Sequence, residues 1–190
     1  MPNPFINLVP RGDMPAEIGE LWDTAMRDRD EAVFFEAAAN APDVLDWYYN
    51  GFYGGLFRDG RVDRRTKELA RLKLSVMHGC AFCNRGNSKA ALAAGVTQAQ
   101  IDALTDPDAD VFDARDRAVL RLCEQIEMTN MDGHLDGPLY DLLRAHFDDG
   151  QIFELGVVCA VLTGMAKFLF VFDLVSREAN CPIRLPSDAA

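Results

Sequence analysis

The sequence predicts an all-α protein of about eight helices folded as one domain. Three observations carry that prediction. Apolar residues recur at spacings of three and four along most of the chain, which is the mark of a helix with one buried face. No run alternates apolar and polar residues long enough to make a strand. Pro15, Pro42, Gly79, Gly95 and Pro138 fall at the ends of the periodic segments. With 190 residues, 49% of them hydrophobic, the chain is long enough to bury one substantial core.

The elements follow in order. Residues 1–14, with Pro2, Pro4, Pro10 and Gly12, are expected as an extended arm. A helix begins near Pro15, a residue suited to a first helical position, and runs through Ile18, Leu21, Trp22 and Ala25. A second spans about Asp30 to Ala39. Pro42 opens a third, through Val44, Leu45, Tyr48, Phe52 and Tyr53, and Asp59-Gly60 turns the chain. Asp63 is placed to cap a helix from Arg64 to about His78, with Leu69, Leu72 and Val76 on one face. Gly79 breaks it, and a new helix starts at Cys80 and ends at Gly95. Thr97 caps a short helix and pairs with Gln100 as a capping box. Further helices are expected from Asp113 to about Asn130, from Pro138 to Phe147 and from Gln151 to about Ala179, followed by an irregular tail with Pro182 and Pro186. Glu68-Leu69 and Glu154-Leu155 each begin an apolar helix that meets a glycine ten or eleven residues on, a weak internal echo.

Composition narrows the function. The net charge of −11 argues against nucleic acid or an anionic membrane surface as partner. The segment Met1-Pro2-Asn3-Pro4-Phe5 lacks the basic and apolar regions of a signal peptide. The longest apolar stretch, Leu155 to Phe172, is interrupted by Thr163, Gly164 and Lys167 and reads as a buried helix rather than a membrane span. The expected location is therefore the cytoplasm. The five cysteines should be mostly reduced there, and their odd number fits poorly with a framework of structural disulfides.

The chemistry is expected at Cys80-Ala-Phe-Cys83. Two cysteines three apart at a helix start lie on one face, and the N–H groups and positive dipole end of the first turn stabilise a thiolate. Alternatives are half of a zinc site, for which no second close pair exists among His78, Cys123, His134, His146, Cys159 and Cys181, or an inert buried pair. Glu68 lies twelve residues upstream, about 40° from Leu72 around the helix at 3.6 residues per turn, so it borders the buried face. It is a candidate base for a thiol, or else a partner of Arg64, Arg65 or Arg71 on its own helix. His78 and Arg85 are candidate supporting residues, one as a proton carrier and one through its charge. Their plainer roles are a histidine at a helix C-terminus and a solvated arginine. The aromatic-rich stretch from Trp47 to Phe57 reads as core and subunit contact, or as the lining of an apolar pocket. Cys123 and Cys159 read as core, and Cys181 as uninvolved.

Glu68, Cys80-x-x-Cys83, the helix end Ala93-Ala94-Gly95-Val96 and the Thr97-x-x-x-Ile101 segment together resemble the carboxymuconolactone decarboxylase superfamily. The cysteine pair places the resemblance with its alkylhydroperoxidase D-like, peroxidase-related branch. The similarity runs from about Pro42 to Leu174. It implies an alkylhydroperoxidase D-like helical domain with residues 42–174 as core, 1–14 as arm and 180–190 as tail. It also implies assembly into trimers or hexamers. By this resemblance Cys83 attacks a peroxide and becomes a sulfenic acid. Cys80 protonates the leaving group and then closes the disulfide, and Glu68 belongs to the proton relay. No metal or organic cofactor is implied, and a dithiol or lipoyl protein restores the thiols.

One position departs from the pattern. The family motif usually continues to a histidine four residues after the second cysteine, and Asn87 stands there. Asparagine cannot relay a proton at neutral pH, which would shift the chemistry from peroxide towards disulfide exchange. The alternatives to a thiol oxidoreductase are a lyase or decarboxylase for a small lactone or aromatic-derived acid with Glu68 as acid–base group, and a non-catalytic helical oligomer.

Overall fold

The computed structural model describes residues 2–183. Among them the chain is helical: α1 (Ala16–Arg29), α2 (Val33–Ala38), α3 (Pro42–Asp46), α4 (Arg64–Met77), α5 (Ala81–Ala93), α6 (Gln98–Asp102), α7 (Ala114–Ile126), α8 (Gly137–Arg144) and α9 (Asp149–Val171), with a 3₁₀ turn at Arg11–Asp13 and a π-helix at Trp47–Arg58. The all-α expectation holds. The expected tail residue Pro186 lies outside the described residues.

α4 is the central element. It packs against α5, α7, α9 and the π-helix and buries residues on nearly every side, including Lys67, Glu68 and Lys73 as well as Leu69, Leu72 and Leu74. One apolar cluster joins α4 to α7, α8, α9 and the π-helix through Leu74, Leu122, Leu143, Leu155 and Phe57. A second joins it to α5 and α7 through Leu69, Leu72, Ala91, Leu104 and Leu120. A third lies under α1, α2 and the end of α9, and contains Phe35, Phe170, Phe82 and Cys80.

The expected caps form. The Asp63 side chain accepts from Thr66 N–H at 3.0 Å, and Thr97 and Gln100 make the reciprocal box that starts α6. Gly79 and Gly95 have φ of +64° and +97°, the left-handed conformation that glycine adopts without a Cβ penalty. Behind Gly79 the N–H of Cys80 reaches back to Ser75 O at 3.1 Å and that of Gly79 to Val76 O at 3.1 Å. The two bonds form a Schellman turn that closes α4 and hands the chain directly to α5. Cys80 thus ends one helix and caps the next.

Three expectations are corrected. The third helix does not continue as α-helix through Tyr53: beyond Asp46 the hydrogen bonding widens into the π-helix. This rare arrangement is sustained by aromatic packing along its length. Tyr48 stacks on Phe52 (centroids 5.8 Å) and meets Tyr53 edge-on (5.2 Å), and Tyr53 meets Phe57 (5.3 Å). The last helix ends at Val171 rather than near Ala179, because Asp173 takes φ of +54°. The N–H groups of Leu174 and Asp173 bond Leu169 O and Phe170 O, the same Schellman turn built without glycine. The helix expected from Asp113 stops at Ile126, and Glu127 turns extended.

The segment after α9 folds back over the cysteine pair. Ala81 N–H donates to Ser176 O (3.1 Å), Glu178 N–H donates to Gly79 O (2.8 Å), and Cys80 pairs with Arg177 as an antiparallel bridge. These bonds satisfy backbone groups that a buried helix junction would otherwise leave unpaired. A Cβ on Gly79 would lie 2.5 Å from the Cys181 backbone nitrogen, so glycine is required there by closeness as well as by φ. Cys181, expected to be uninvolved, is buried in the cluster that contains Cys80.

Candidate functional site

Cys80 and Cys83 are joined as a disulfide at the start of α5. The two sulfurs are not equivalent. Cys80 is fully buried, and its Sγ accepts from Cys83 N–H at 3.2 Å. Cys83 is partly exposed and opens onto a cavity of about 270 Å³ enclosed by α1, the π-helix, α4, α5 and α9. A substrate entering that cavity meets Cys83, with Cys80 behind it.

Glu68, His78 and Asn87 line the same cavity. The structure therefore brings together five of the six residues singled out in the sequence. Glu68 is 2% exposed and takes ion pairs from both Arg64 (3.5 Å) and Arg71. The cavity-facing role and the same-helix pairing role are both true of it, while Arg65 instead grips Asp116 with two bonds. The two guanidiniums hold the carboxylate in place, and a proton moving to Glu68 must share an oxygen with one of them. Arg85 does not line the cavity. Its guanidinium reaches Glu31 at 3.4 Å and Ser176 Oγ at 3.2 Å, so it braces α5 against the returning C-terminal segment.

His78 is 1% exposed. Burial lowers its pKa to about 4 against a smaller opposing pull from Glu127, and its Nε2 accepts from Met128 N–H at 3.3 Å. Desolvation outweighs the helix dipole that favours a cation there. The ring is neutral at neutral pH, with one nitrogen committed as an acceptor.

The folded-state value lies below the unfolded value of about 6.5, so between pH 6.5 and 4 the unfolded chain binds more protons. Stability from this residue is complete above about pH 6.5 and falls as pH drops towards 4, by on the order of 2–3 kcal/mol. Urea unfolding of wild type and His78→Gln at pH 7, 5.5 and 4.5 is expected to show the shallower pH dependence in the variant. Parallel curves would remove His78 as the cause.

The π-helix supplies the cavity wall. Its repeat places residues five apart on one face, and Tyr48, Tyr53 and Arg58 are so spaced. The Tyr48 and Tyr53 hydroxyls lie 3.5 Å apart, and Arg58 Nε donates to Tyr53 O at 3.3 Å. Burial raises the pKa of Tyr48 and Tyr49, which keeps both phenols protonated. Arg71 lies over the rings of Tyr53 and Phe57 (5.5 and 5.0 Å). The aromatic stretch is thus both core and pocket lining, as the sequence left open.

Arg29, at the end of α1, was not legible as a site residue. It lines the cavity with its guanidinium 4.7 Å from the Phe82 ring centre. The one signal pointing to it is Gly86, an isolated glycine inside α5, which marks the spot where Arg29 crosses the helix.

Elsewhere, Cys123 and Cys159 are buried, as expected for core residues. Hydrogen bonding with the neighbouring Cys159, together with burial, raises the Cys123 thiol pKa, which makes it unreactive. Among the described residues no group of three or more His, Cys, Asp or Glu is placed to hold a metal ion.

With that geometry in view, residues 42–125 match the carboxymuconolactone decarboxylase family. The uncharacterized protein YdfG of Bacillus subtilis is 28% identical over 102 residues, 53% of this chain and 69% of its own length. The uncharacterized protein Rv2313c of Mycobacterium tuberculosis is 30% identical over 108 residues, 56% of this chain but only 37% of its own. Among solved structures, a peroxidase-related protein with an alkylhydroperoxidase AhpD core from Ralstonia eutropha superposes with a TM-score of 0.71 at 14% identity over 94% of both chains. The debrominase Bmp8, crystallised with 2,3,4-tribromopyrrole as a cysteine-to-alanine variant, gives 0.72 at 16% identity over 94% of both chains. A putative antioxidant defence protein AhpD from Agrobacterium tumefaciens gives 0.63 at 20% identity, covering 77% of this chain and 96% of its own. These structural likenesses establish a shared fold.

Proposed function

We propose that this chain, whose residues 42–125 match the carboxymuconolactone decarboxylase family and which has the alkylhydroperoxidase D-like fold, is a cytoplasmic thiol oxidoreductase that reduces a hydroperoxide or a disulfide with Cys83 and Cys80. One observation carries the reading: Cys83 faces a cavity open to substrate that Glu68 also lines, while its partner sulfur is buried behind it. A nucleophile open to substrate with a resolving thiol underneath is the arrangement such a cycle needs.

In the peroxide cycle the Cys83 thiolate attacks the terminal oxygen and the O–O bond breaks. The leaving alkoxide takes a proton from the Cys80 thiol, and the sulfur becomes a sulfenic acid. Cys80 then attacks that sulfur, the S–O bond breaks, water leaves and the disulfide forms. With a disulfide substrate, Cys83 forms a mixed disulfide and releases one thiolate, and Cys80 displaces the second. In either case the substrate is reduced by two electrons, and a dithiol or lipoyl protein returns them. Glu68 is the group positioned to pass the protons. Asn87 cannot do so, and a neutral His78 with a folded-state pKa of about 4 is a weak base. That scarcity favours the disulfide as substrate, since a thiolate leaves without a proton more readily than an alkoxide.

The exposed Phe153, Phe168, Val171 and Phe172 on and beyond α9 support self-association, in line with a homotrimer or homohexamer. The test is direct. Fully reduced protein is mixed with cumene hydroperoxide or with an aromatic disulfide, and the thiols of Cys80 and Cys83 are followed by mass spectrometry. Both should disappear together, faster than free dithiothreitol oxidises at the same concentration. Thiols no more reactive than dithiothreitol would overturn the reading.

A further inference from the structure

The cavity's charge is at odds with the rest of the molecule. The chain carries a formal charge of −11, yet the cavity is lined by four arginines, Arg29, Arg58, Arg64 and Arg71, against the single carboxylate Glu68. Arg64 and Arg71 each pair with Glu68, although Arg71 Nε is itself buried without a partner, and Arg58 is anchored to a backbone carbonyl. Arg29 has no carboxylate within ion-pair distance among the described residues, and its Nε is shut off from solvent without a hydrogen-bond partner. A buried guanidinium nitrogen left unpaired costs free energy, and a ligand oxygen would satisfy it.

The chain makes room for this arginine at a cost to its own helix. Gly86 sits inside α5, one turn after Cys83, where glycine is the poorest helix former after proline. A Cβ there would lie 2.2 Å from Arg29 Nε and 2.4 Å from its Nη2. Glycine at this position leaves a slot across α5 through which Arg29 passes, with its guanidinium over the Phe82 ring. The rings of Tyr48, Tyr49 and Tyr53 line the same cavity.

We propose that the cavity takes a substrate bearing a carboxylate on a ring-sized apolar body, with Arg29 as the anion-binding residue and Gly86 as the residue that positions it. This rests on the proposed thiol chemistry and adds the class of molecule that carries the reducible O–O or S–S bond. The carboxylate meets Arg29 beside α5, the ring packs among the tyrosines, and the reducible bond is directed to Cys83. Flat guanidinium and carboxylate groups pair through two parallel hydrogen bonds, while the tyrosine rings bind a flat apolar body without sensing its charge.

The probes are benzoate and benzamide, which share a ring and differ in charge, titrated calorimetrically into the oxidised protein. Benzoate should bind at least about tenfold more tightly, the worth of one charge-assisted hydrogen bond. Arg29→Met should erase that preference while leaving benzamide binding unchanged. Gly86→Ala is the sharper variant: it improves helix propensity, so the melting temperature should hold or rise. Its methyl group displaces only the mobile end of Arg29, so the benzoate preference should fall as it does in Arg29→Met.

Equal binding of the two probes, binding of neither at millimolar concentration, or a preference that survives both variants would overturn the proposal. These titrations involve no turnover. Inert thiols together with a retained benzoate preference would sink the redox reading alone, and active thiols without the preference would sink this one alone.

Discussion

Cys83→Ser is expected to lower turnover of hydroperoxide or disulfide by on the order of 10³-fold or more, the scale of losing a nucleophile that forms the covalent intermediate. The hydroxyl of serine is far less nucleophilic than a thiolate and cannot be oxidised to a sulfenic acid. Cys80→Ser is expected to fail differently. Its Cys83 faces the cavity as before, so one equivalent of peroxide should react and leave a sulfenic acid that dimedone traps. No second turnover should follow, because no thiol lies behind it. Stopped-flow peroxide consumption with mass spectrometry of the trapped adduct separates the two variants. If dimedone labels the Cys83→Ser protein at Cys80 instead, the two roles are reversed. If turnover of a lactone acid survives both substitutions, the chemistry belongs to Glu68 and the pair is structural.

The second large effect is on stability. Lys67 has no exposed surface, and its ammonium lies 2.8 Å from Glu154 Oε1 and 2.7 Å from Leu56 O. Burial pushes the Glu154 carboxyl up, but Lys67 and the backbone N–H groups of Val62 and Arg61 hold it below its ordinary value. The cluster fastens the end of the π-helix to α4 and α9. Lys67→Met removes the buried ammonium and leaves the Glu154 carboxylate to two backbone N–H groups and a longer ion pair from Arg61 (3.8 Å), which costs on the order of 3 kcal/mol. Urea unfolding should show a midpoint lowered accordingly. Arg121→Ala serves as the control. Its ion pairs to Asp108 and, one turn along, to Glu124 lie towards the surface, and such pairs contribute at most about 1 kcal/mol each. Similar losses in both variants would mean that the Lys67–Glu154 pair is no more than a surface pair in effect.

The sequence by itself determined the helices that end on local signals. Asp63, Thr97, Gly79 and Gly95 act through hydrogen bonds or φ values confined to a few residues, so their meaning could be read without neighbours. It also determined the cysteine pair, the upstream glutamate on the edge of a buried face and, through those residues, the family resemblance that residues 42–125 bear out. Two features were settled by packing rather than by local signals. The π-helix depends on rings from Tyr48 to Phe57 packing against each other and against Arg71, which no periodicity of 3.6 announces. The end of α9 rests on Asp173 in a left-handed turn that glycine would have flagged.

Lys67, Glu154 and Lys73 look like surface charges in sequence and are buried, because α4 is enclosed on nearly every side. Arg29 and Arg85 show the same limit at the cavity. Both are arginines near the cysteine pair, one in space and one in sequence. Packing across α5 at Gly86 turned the distant one towards Cys83, and the pull of Glu31 and Ser176 turned the adjacent one away. Local hydrogen bonding decides where helices begin and end, whereas the charge inside a cavity is decided by which long side chains the packed helices leave room for.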